Sequence, residues 1–194
     1  MARTRDPEGK RRQLLDAALA EFSEHGIGGA RVDRIAARAG VSAGLVYTFY
    51  DGKEGLFEAV YDTIVEQVVS GIPIDVDDLA EYAGRLYDGG LEHPEVMRFM
   101  TWYQLERGHR QSETRATVVE SMTEKVTAIE DAQRRGVVTD RQDAAELLAL
   151  LLTIANMWQL QGEDVRRLVP RAERRRLVVD AVRQLVAPAP ARDN

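Results

Sequence analysis

The sequence predicts an all-α protein of about nine helices. Apolar residues recur at spacings of three and four along nearly the whole chain, the period of a helix with one buried face. No run alternates with a period of two for long enough to make a convincing strand. The breaks between periodic segments are short and polar, as connections between packed helices are.

Each helix is read from its apolar series and its punctuation. Leu14, Leu15, Ala18, Leu19 and Phe22 mark the first, which ends near Gly26 ahead of a glycine-rich link to Gly29. A short second helix runs from about Val32 to Ala39. Gly40-Val41-Ser42 breaks the chain, and a third helix continues to about Tyr50. After Asp51-Gly52, the residues Leu56, Phe57, Val60, Tyr61, Ile64, Val65 and Val68 make a long amphipathic fourth helix that stops before Gly71-Ile72-Pro73. Longer helices are expected at about 76–93, 94–107, 112–135, 141–161 and 170–187. Pro94 and Pro170 sit at helix starts, where a missing N–H does no harm. Gly136 suits a C-terminal stop. The ends, 1–9 and 188–194, read as disordered.

Composition narrows the function. At 194 residues, with 44% apolar and 30% charged residues, the chain can bury a real core. The absence of cysteine excludes disulfides, thiolate metal sites and cysteine nucleophiles. His25, His93 and His109 lie too far apart in sequence for an imidazole-rich cluster, so neither metal nor cofactor is expected. The first residues have no apolar core and do not read as a secretory signal. The most apolar stretch, Leu147 to Leu160, is interrupted by Thr153, Asn156 and Gln159, and a membrane span needs about 20 apolar residues. A cytoplasmic protein with no membrane partner is expected. The net charge of −6, taken alone, speaks against a nucleic-acid partner.

The segment Val32–Tyr50 carries the functional signal. Ala36, Gly40 and Val46 stand at offsets 0, +4 and +10, the combination a helix-turn-helix needs. Ala36 is small where a second helix crosses closely. Gly40 accepts the positive φ of a tight turn, and Val46 anchors the following helix. Ile35, Ala39, Val41, Leu45 and Phe49 complete the inner face, and Ser42 is placed to cap the third helix. The opposite face presents Ala43, Gly44, Tyr47 and Thr48, as a helix entering a major groove would. Tyr47 can bond a phosphate or stack on a sugar, Thr48 can reach a base edge or phosphate, and Ala43 and Gly44 permit close approach. No arginine stands there for a bidentate guanine contact, so modest direct readout is expected. Lys53 opens the fourth helix, where its ammonium and free backbone N–H groups can hold a phosphate. The three offsets alone also fit an ordinary helical hairpin inside a bundle.

With these flanks, His25 to Phe57 resembles the tetracycline-repressor (TetR) family of transcriptional regulators. The matching positions are Val32, Ile35-Ala36, Gly40-Val41-Ser42, Tyr47, Tyr50, Lys53 and Leu56. Two positions depart from the family pattern. Arg31 stands where members often carry a phosphate-contacting threonine. It removes a cap but can hold phosphate through charge. Phe49 stands where members often carry histidine or tyrosine.

The resemblance implies a DNA-binding head at 1–54 and a ligand-binding and dimerisation bundle at 55–194. It implies double-stranded operator DNA, a small-molecule effector and a second copy of the chain as partners. The eighth helix carries Leu147, Leu148, Leu150, Leu151, Leu152, Ile154, Met157 and Trp158 on all sides, so it must be covered on all sides. With the last helix it would form a four-helix interface across a two-fold axis. Met97, Met100, Trp102, Tyr103, Met122, Asn156 and Trp158 are the candidate walls of a mostly apolar ligand site, with Tyr61, Tyr82 and Tyr87 weaker candidates. Taken singly, each is better explained as core.

Two other classes stand beside a repressor released by its effector. One is a ligand-binding bundle whose helix-turn-helix has no DNA affinity. The other is a helical enzyme, against which no nucleophile, base and acid cluster in the sequence. The charge argument also changes once it is localised. Residues 1–60 carry nine basic and nine acidic side chains, and residues 61–194 carry 17 and 23, which supplies the whole −6. Arg3, Arg5, Lys10, Arg11, Arg12, Arg31, Arg34, Arg38 and Lys53 can give the neutral head a local positive face.

Overall fold

Ten α-helices and no strand occupy the described residues of the computed structural model, which are 6–107 and 116–188. They form two compact units. One holds the described part of Met1–Val68 and His93–Glu113, the other the described part of Val69–Glu92 and Thr114–Asn194. The fourth and sixth helices pack with the first three.

In the first unit, α1 (Pro7–Gly29) starts earlier than the sequence suggests. The Asp6 carboxylate accepts from the Gly9 N–H at 2.9 Å, and Pro7 stands where its missing N–H costs nothing, so 7–9 are helical. Residues 1–5, with Arg3 and Arg5, lie outside the described residues. The expected link at Gly26–Gly29 is mostly a last helical turn set off by a break at Gly26, whose φ is 63° and ψ −179°. α2 (Val32–Ala39), α3 (Ala43–Tyr50) and α4 (Lys53–Gly71) follow, and α6 (Pro94–Arg107) returns to pack along α1. The core holds Leu14, Phe22, Ile35, Val46, Leu56, Phe57 and Phe99, none of them exposed. The Phe22 and Phe57 rings meet edge to face at 5.0 Å, and Phe57 and Phe99 lie 4.9 Å apart.

The break at Gly26 is where α6 docks. The Ile27 N–H, released from the helical ladder, donates to both Glu106 oxygens at 3.2 and 3.3 Å. A Cβ on Gly26 would lie 2.6 Å from Glu106 Oε1 and 2.9 Å from the Trp102 ring. Arg107, next along α6, pairs with Glu54 and, at 3.3 Å, with Glu58, so α6 is tied to α4 as well.

The second unit contains α5 (Leu79–Glu92), α7 (Ala116–Arg134), α8 (Ala144–Leu160), α9 (Glu163–Leu168) and α10 (Arg171–Val186). α5 packs on α8 and α10, and α7 on α8, around Tyr82, Tyr87, Ile129, Leu147, Leu151 and Val178. A reciprocal capping box between Asp143 and Glu146 starts α8 three residues later than expected. α9 is the helix the periodicity misses, because six residues are too few to show a period. Arg175 on α10 bonds Glu81 at 2.5 Å and Asp88 at 2.8 Å on α5. No helix among the described residues is long and apolar enough to cross a membrane.

Gly26→Ala should lower unfolding stability by about 1–3 kcal/mol, through the positive φ and the collision with α6. Gly28→Ala, which meets nothing within 4 Å, should change it little. Urea melts of the two variants give the comparison, and equal effects would contradict the docking role of Gly26.

Candidate nucleic-acid interface

The expected helix-turn-helix is α2, a turn and α3. Gly40 ends α2 in the left-handed region, with φ 66° and ψ 32°. The Val41 N–H bonds the Ala36 carbonyl at 3.0 Å and the Gly40 N–H bonds the Ala37 carbonyl at 3.2 Å, which turns the chain sharply into α3. Ile35, Ala36 and Val46 are buried, and Ala39, Val41, Leu45 and Phe49 pack around them half-buried.

Ser42 has the backbone of an N-cap, with φ −79° and ψ 146°, but its hydroxyl accepts no cap hydrogen bond. The Leu45 N–H instead donates to the Ser42 carbonyl at 3.0 Å, which tightens the first turn and leaves Oγ exposed. Gly44, Tyr47 and Thr48 are exposed on the outer face, Tyr47 at 62%, and Ala43 is half-buried beside them. The Thr48 hydroxyl donates to the Gly44 carbonyl at 3.0 Å, so its lone pairs point outward as acceptors. The Tyr47 ring lies alongside Gly52.

The cations divide into those already engaged and those still presented. Arg34 does not belong to the positive face expected for it. Its guanidinium is 2.5 Å from the buried Glu21 carboxylate and also donates to the Gly29 carbonyl at 2.9 Å. Glu21 further accepts from the Arg31 N–H at 3.1 Å, which fixes the start of α2, while the Arg31 side chain is exposed. As expected for arginine at that position, no side chain caps α2. The Lys53 ammonium donates to the Ala30 carbonyl at 3.2 Å, pinning the α1–α2 link and leaving two N–H bonds for another acceptor. Arg11, one of the cations expected on the positive face, has a specific place that its sequence context does not show. Its guanidinium lies 5.0 Å over the Phe49 ring, and its carbonyl accepts from the Tyr50 hydroxyl at 3.3 Å, so it stands beside α3. The aromatic pair at 49 and 50 is the one sequence signal that bears on it.

The seven candidate ligand residues fall in both units. Met97 and Met100 are half-buried in the first, Trp102 lies against Gly26, and Tyr103 stacks on Tyr61 at 3.8 Å while donating to Glu58 at 3.3 Å. In the second, Met122 packs half-buried on the core, and Asn156 satisfies itself by donating to the Leu152 carbonyl at 2.9 Å. Trp158 is buried under the Arg174 guanidinium, 5.2 Å from its ring. A groove of about 530 Å³ in the second unit, lined by Val76, Ala128, Asp131, Arg134 and Arg135, includes none of them. His109 lies outside the described residues, among which no cluster of three or more potential metal ligands occurs.

Residues 14–60 match the family model described as bacterial regulatory proteins, tetR family. Residues 78–184, more than half the chain, match the tetracyclin repressor-like C-terminal domain. The chain belongs to the TetR family of transcriptional regulators. It is 38% identical over 165 residues to the HTH-type transcriptional repressor SCO4008 of Streptomyces coelicolor, covering 85% of each chain. It is 39% identical over 72 residues to the HTH-type transcriptional regulator BetI of Cronobacter sakazakii, covering 37% of this chain and 36% of that one. The crystal structure of SCO4942 of Streptomyces coelicolor, assigned as a transcriptional regulator, superposes with a TM-score of 0.83 at 31% identity, over 93% of this chain and 99% of that one. The chain is thus a DNA-binding regulator and not an enzyme.

Glu21 yields a pH prediction for this regulator. Burial pushes its carboxyl up, but the Arg34 hydrogen bond, the Arg31 N–H and the Arg34 and His25 charges outweigh that and hold it below its ordinary value of 4.5. A depressed value in the folded state stabilises above the unfolded value and is lost as pH falls through the folded one. Glu21→Gln should cost about 1–3 kcal/mol at neutral pH, and the gap from wild type should close as pH drops below about 4.5. Urea melts at several pH values measure it. A gap independent of pH would contradict the brace.

Proposed function

We propose that the regulator is a repressor that acts as a homodimer and is released by a small, mostly apolar effector. Residues 1–54 contact DNA, and residues 55–194 hold the effector and the partner copy. The α3 helices of two copies dock in successive major grooves of an inverted-repeat operator, about 34 Å apart. The observation that carries this reading is the outer face of α3, where Gly44, Tyr47 and Thr48 stand exposed after a left-handed turn at Gly40. Ser42, Ala43, Arg31 and Lys53 flank that face, so phosphate contacts on both sides would set its register. The name of SCO4008 as a repressor supports the sign of regulation.

Pairing through α8 and α10 is supported by apolar surface that a single copy leaves uncovered. Leu150 and Leu160 of α8 are 42% and 71% exposed, and Leu177 and Leu185 of α10 are half-buried. A two-fold axis would bury each copy's patch against its own image. Met97, Met100, Trp102, Tyr103, Met122, Asn156 and Trp158 remain the proposed effector contacts. An effector that prefers a conformation with the heads at another spacing shifts the population off DNA, by as much as its affinities for the two states differ. A protein that reads chromosomal operators works in the cytoplasm.

The test is DNA binding to fragments selected from a random pool, followed by fluorescence anisotropy across a salt series. Wild type should bind with a steep salt dependence. Tyr47→Ala and Lys53→Ala should weaken binding about tenfold, and Lys53→Ala should flatten the log–log salt slope by about one for each phosphate it no longer neutralises. The dimer mass should not change. Absence of salt-dependent DNA affinity would overturn the DNA-binding reading. Full affinity in both variants would overturn the assigned DNA-facing surface.

A further inference from the structure

α3 carries no cation in its own sequence, yet one is held against its last turn. It comes from α1. The Arg11 guanidinium lies 5.0 Å from the centroid of the Phe49 ring, and the Tyr50 hydroxyl donates to the Arg11 carbonyl at 3.3 Å. The Phe49 and Tyr50 rings meet edge to face at 6.3 Å, so both contacts belong to one aromatic pair. Burial keeps the Tyr50 hydroxyl above its ordinary value, with Arg11 pulling it down and Glu8 adding to the rise, so it remains a donor at neutral pH. Arg11 is thereby placed through its main chain and its side chain together.

The stack fixes the cation without using up its hydrogen bonds. A ring face attracts the charge, while the N–H donors around the guanidinium edge still call for oxygen acceptors. Glu8 meets them with a single oxygen at 3.4 Å, and the two side chains are 49% and 78% exposed. A surface pair of that kind is weak and gives way to a stronger acceptor. Arg34 is the contrast, because its guanidinium is 2.5 Å from the buried Glu21 carboxylate and is committed there. Holding a long side chain in place before binding also lowers the ordering cost of using it. The planar fork of donors matches two oxygens of one phosphodiester, which makes the DNA backbone the acceptor suited to it.

We infer that Arg11 is a phosphodiester clamp, a DNA-backbone contact supplied by α1 at the C-terminal end of α3, and that Phe49 and Tyr50 are its positioning residues. This rests on the reading of the outer face of α3 as the surface that meets DNA. The clamp adds a cation from a third element to Arg31, ahead of α2, and Lys53, at the start of α4. Phe49 has no polar atom to offer a phosphate, so it acts through the guanidinium over its ring.

The test is fluorescence anisotropy with a DNA fragment selected from a random pool, across a salt series, at a temperature where thermal melting shows every variant folded. Arg11→Ala should weaken binding about tenfold and flatten the log–log salt slope by about one for each phosphate it no longer neutralises. Arg11→Lys, which keeps the charge and loses the planar fork, should restore the slope but only part of the affinity. Phe49→Leu should weaken binding about threefold in the wild-type background and leave it unchanged in the Arg11→Ala background, because the ring acts through the guanidinium. Wild-type affinity or an unchanged slope in Arg11→Ala, full affinity in Arg11→Lys, or equal losses from Phe49→Leu in both backgrounds would overturn the inference. Tyr47→Ala is measured alongside. A loss in Tyr47→Ala with none in Arg11→Ala overturns the clamp alone, whereas wild type without salt-dependent DNA affinity overturns the DNA-binding reading and the clamp with it.

Discussion

The break in α1 at Gly26 is the constraint on which the first unit depends. A residue with φ of 63° ends the regular ladder, and the N–H group it frees must find an acceptor. Glu106 of α6 supplies one, and the absence of a side chain at Gly26 lets Trp102 and Glu106 approach that closely. A few residues before the break, Glu21 acts in the other direction. Its buried carboxylate takes the Arg31 N–H and the Arg34 guanidinium, so it places the first turn of α2. α3 is set by α2 through the Gly40 turn. The outer face of α3 is therefore positioned by two carboxylates, Glu21 and Glu106, and two glycines, Gly26 and Gly40.

The net charge of −6 does not describe the surroundings of α3. The head is neutral in sum, but its charges are used unequally. Arg34 is engaged by Glu21, and Arg107 by Glu54 and Glu58. Those pairs hold elements together and cancel locally. Arg11, Arg31 and Lys53 are cations near α3 with no strong partner of that kind: Arg11 meets Glu8 only at 3.4 Å on the surface, and Lys53 meets a carbonyl. The positive charge beside α3 is thus small and local, and in the proposed reading the salt dependence of affinity scales with the number of phosphates these few cations neutralise.

Much of this was legible in the sequence. α2, α3 and α6 begin and end where punctuation and periodicity put them, because glycine at 40 and proline at 94 act locally. The inner and outer faces of α3 followed from the helical period. What escaped reading depended on contacts distant in sequence. Gly26 reads as a helix end, whereas Glu106, far along the chain, turns it into a dock. Arg34 reads as a surface cation until Glu21 is seen beside it. Asp143 and Glu146 carried a legible capping signature that places the start of α8 more sharply than its apolar run does. Residue types suited to ligand walls are also suited to cores, so the candidate ligand residues could be named without being located. Tyr103 lies in an aromatic stack and Asn156 bonds its own helix.

In the proposed reading, DNA is held by α3 and the turn before it, on a frame fixed by α1 and α6. Amide hydrogen exchange of the chain, with and without a selected DNA fragment, tests this. DNA is expected to slow exchange between residues 31 and 53, most strongly from Ser42 to Tyr47. DNA bound with that segment unchanged and protection elsewhere would contradict it.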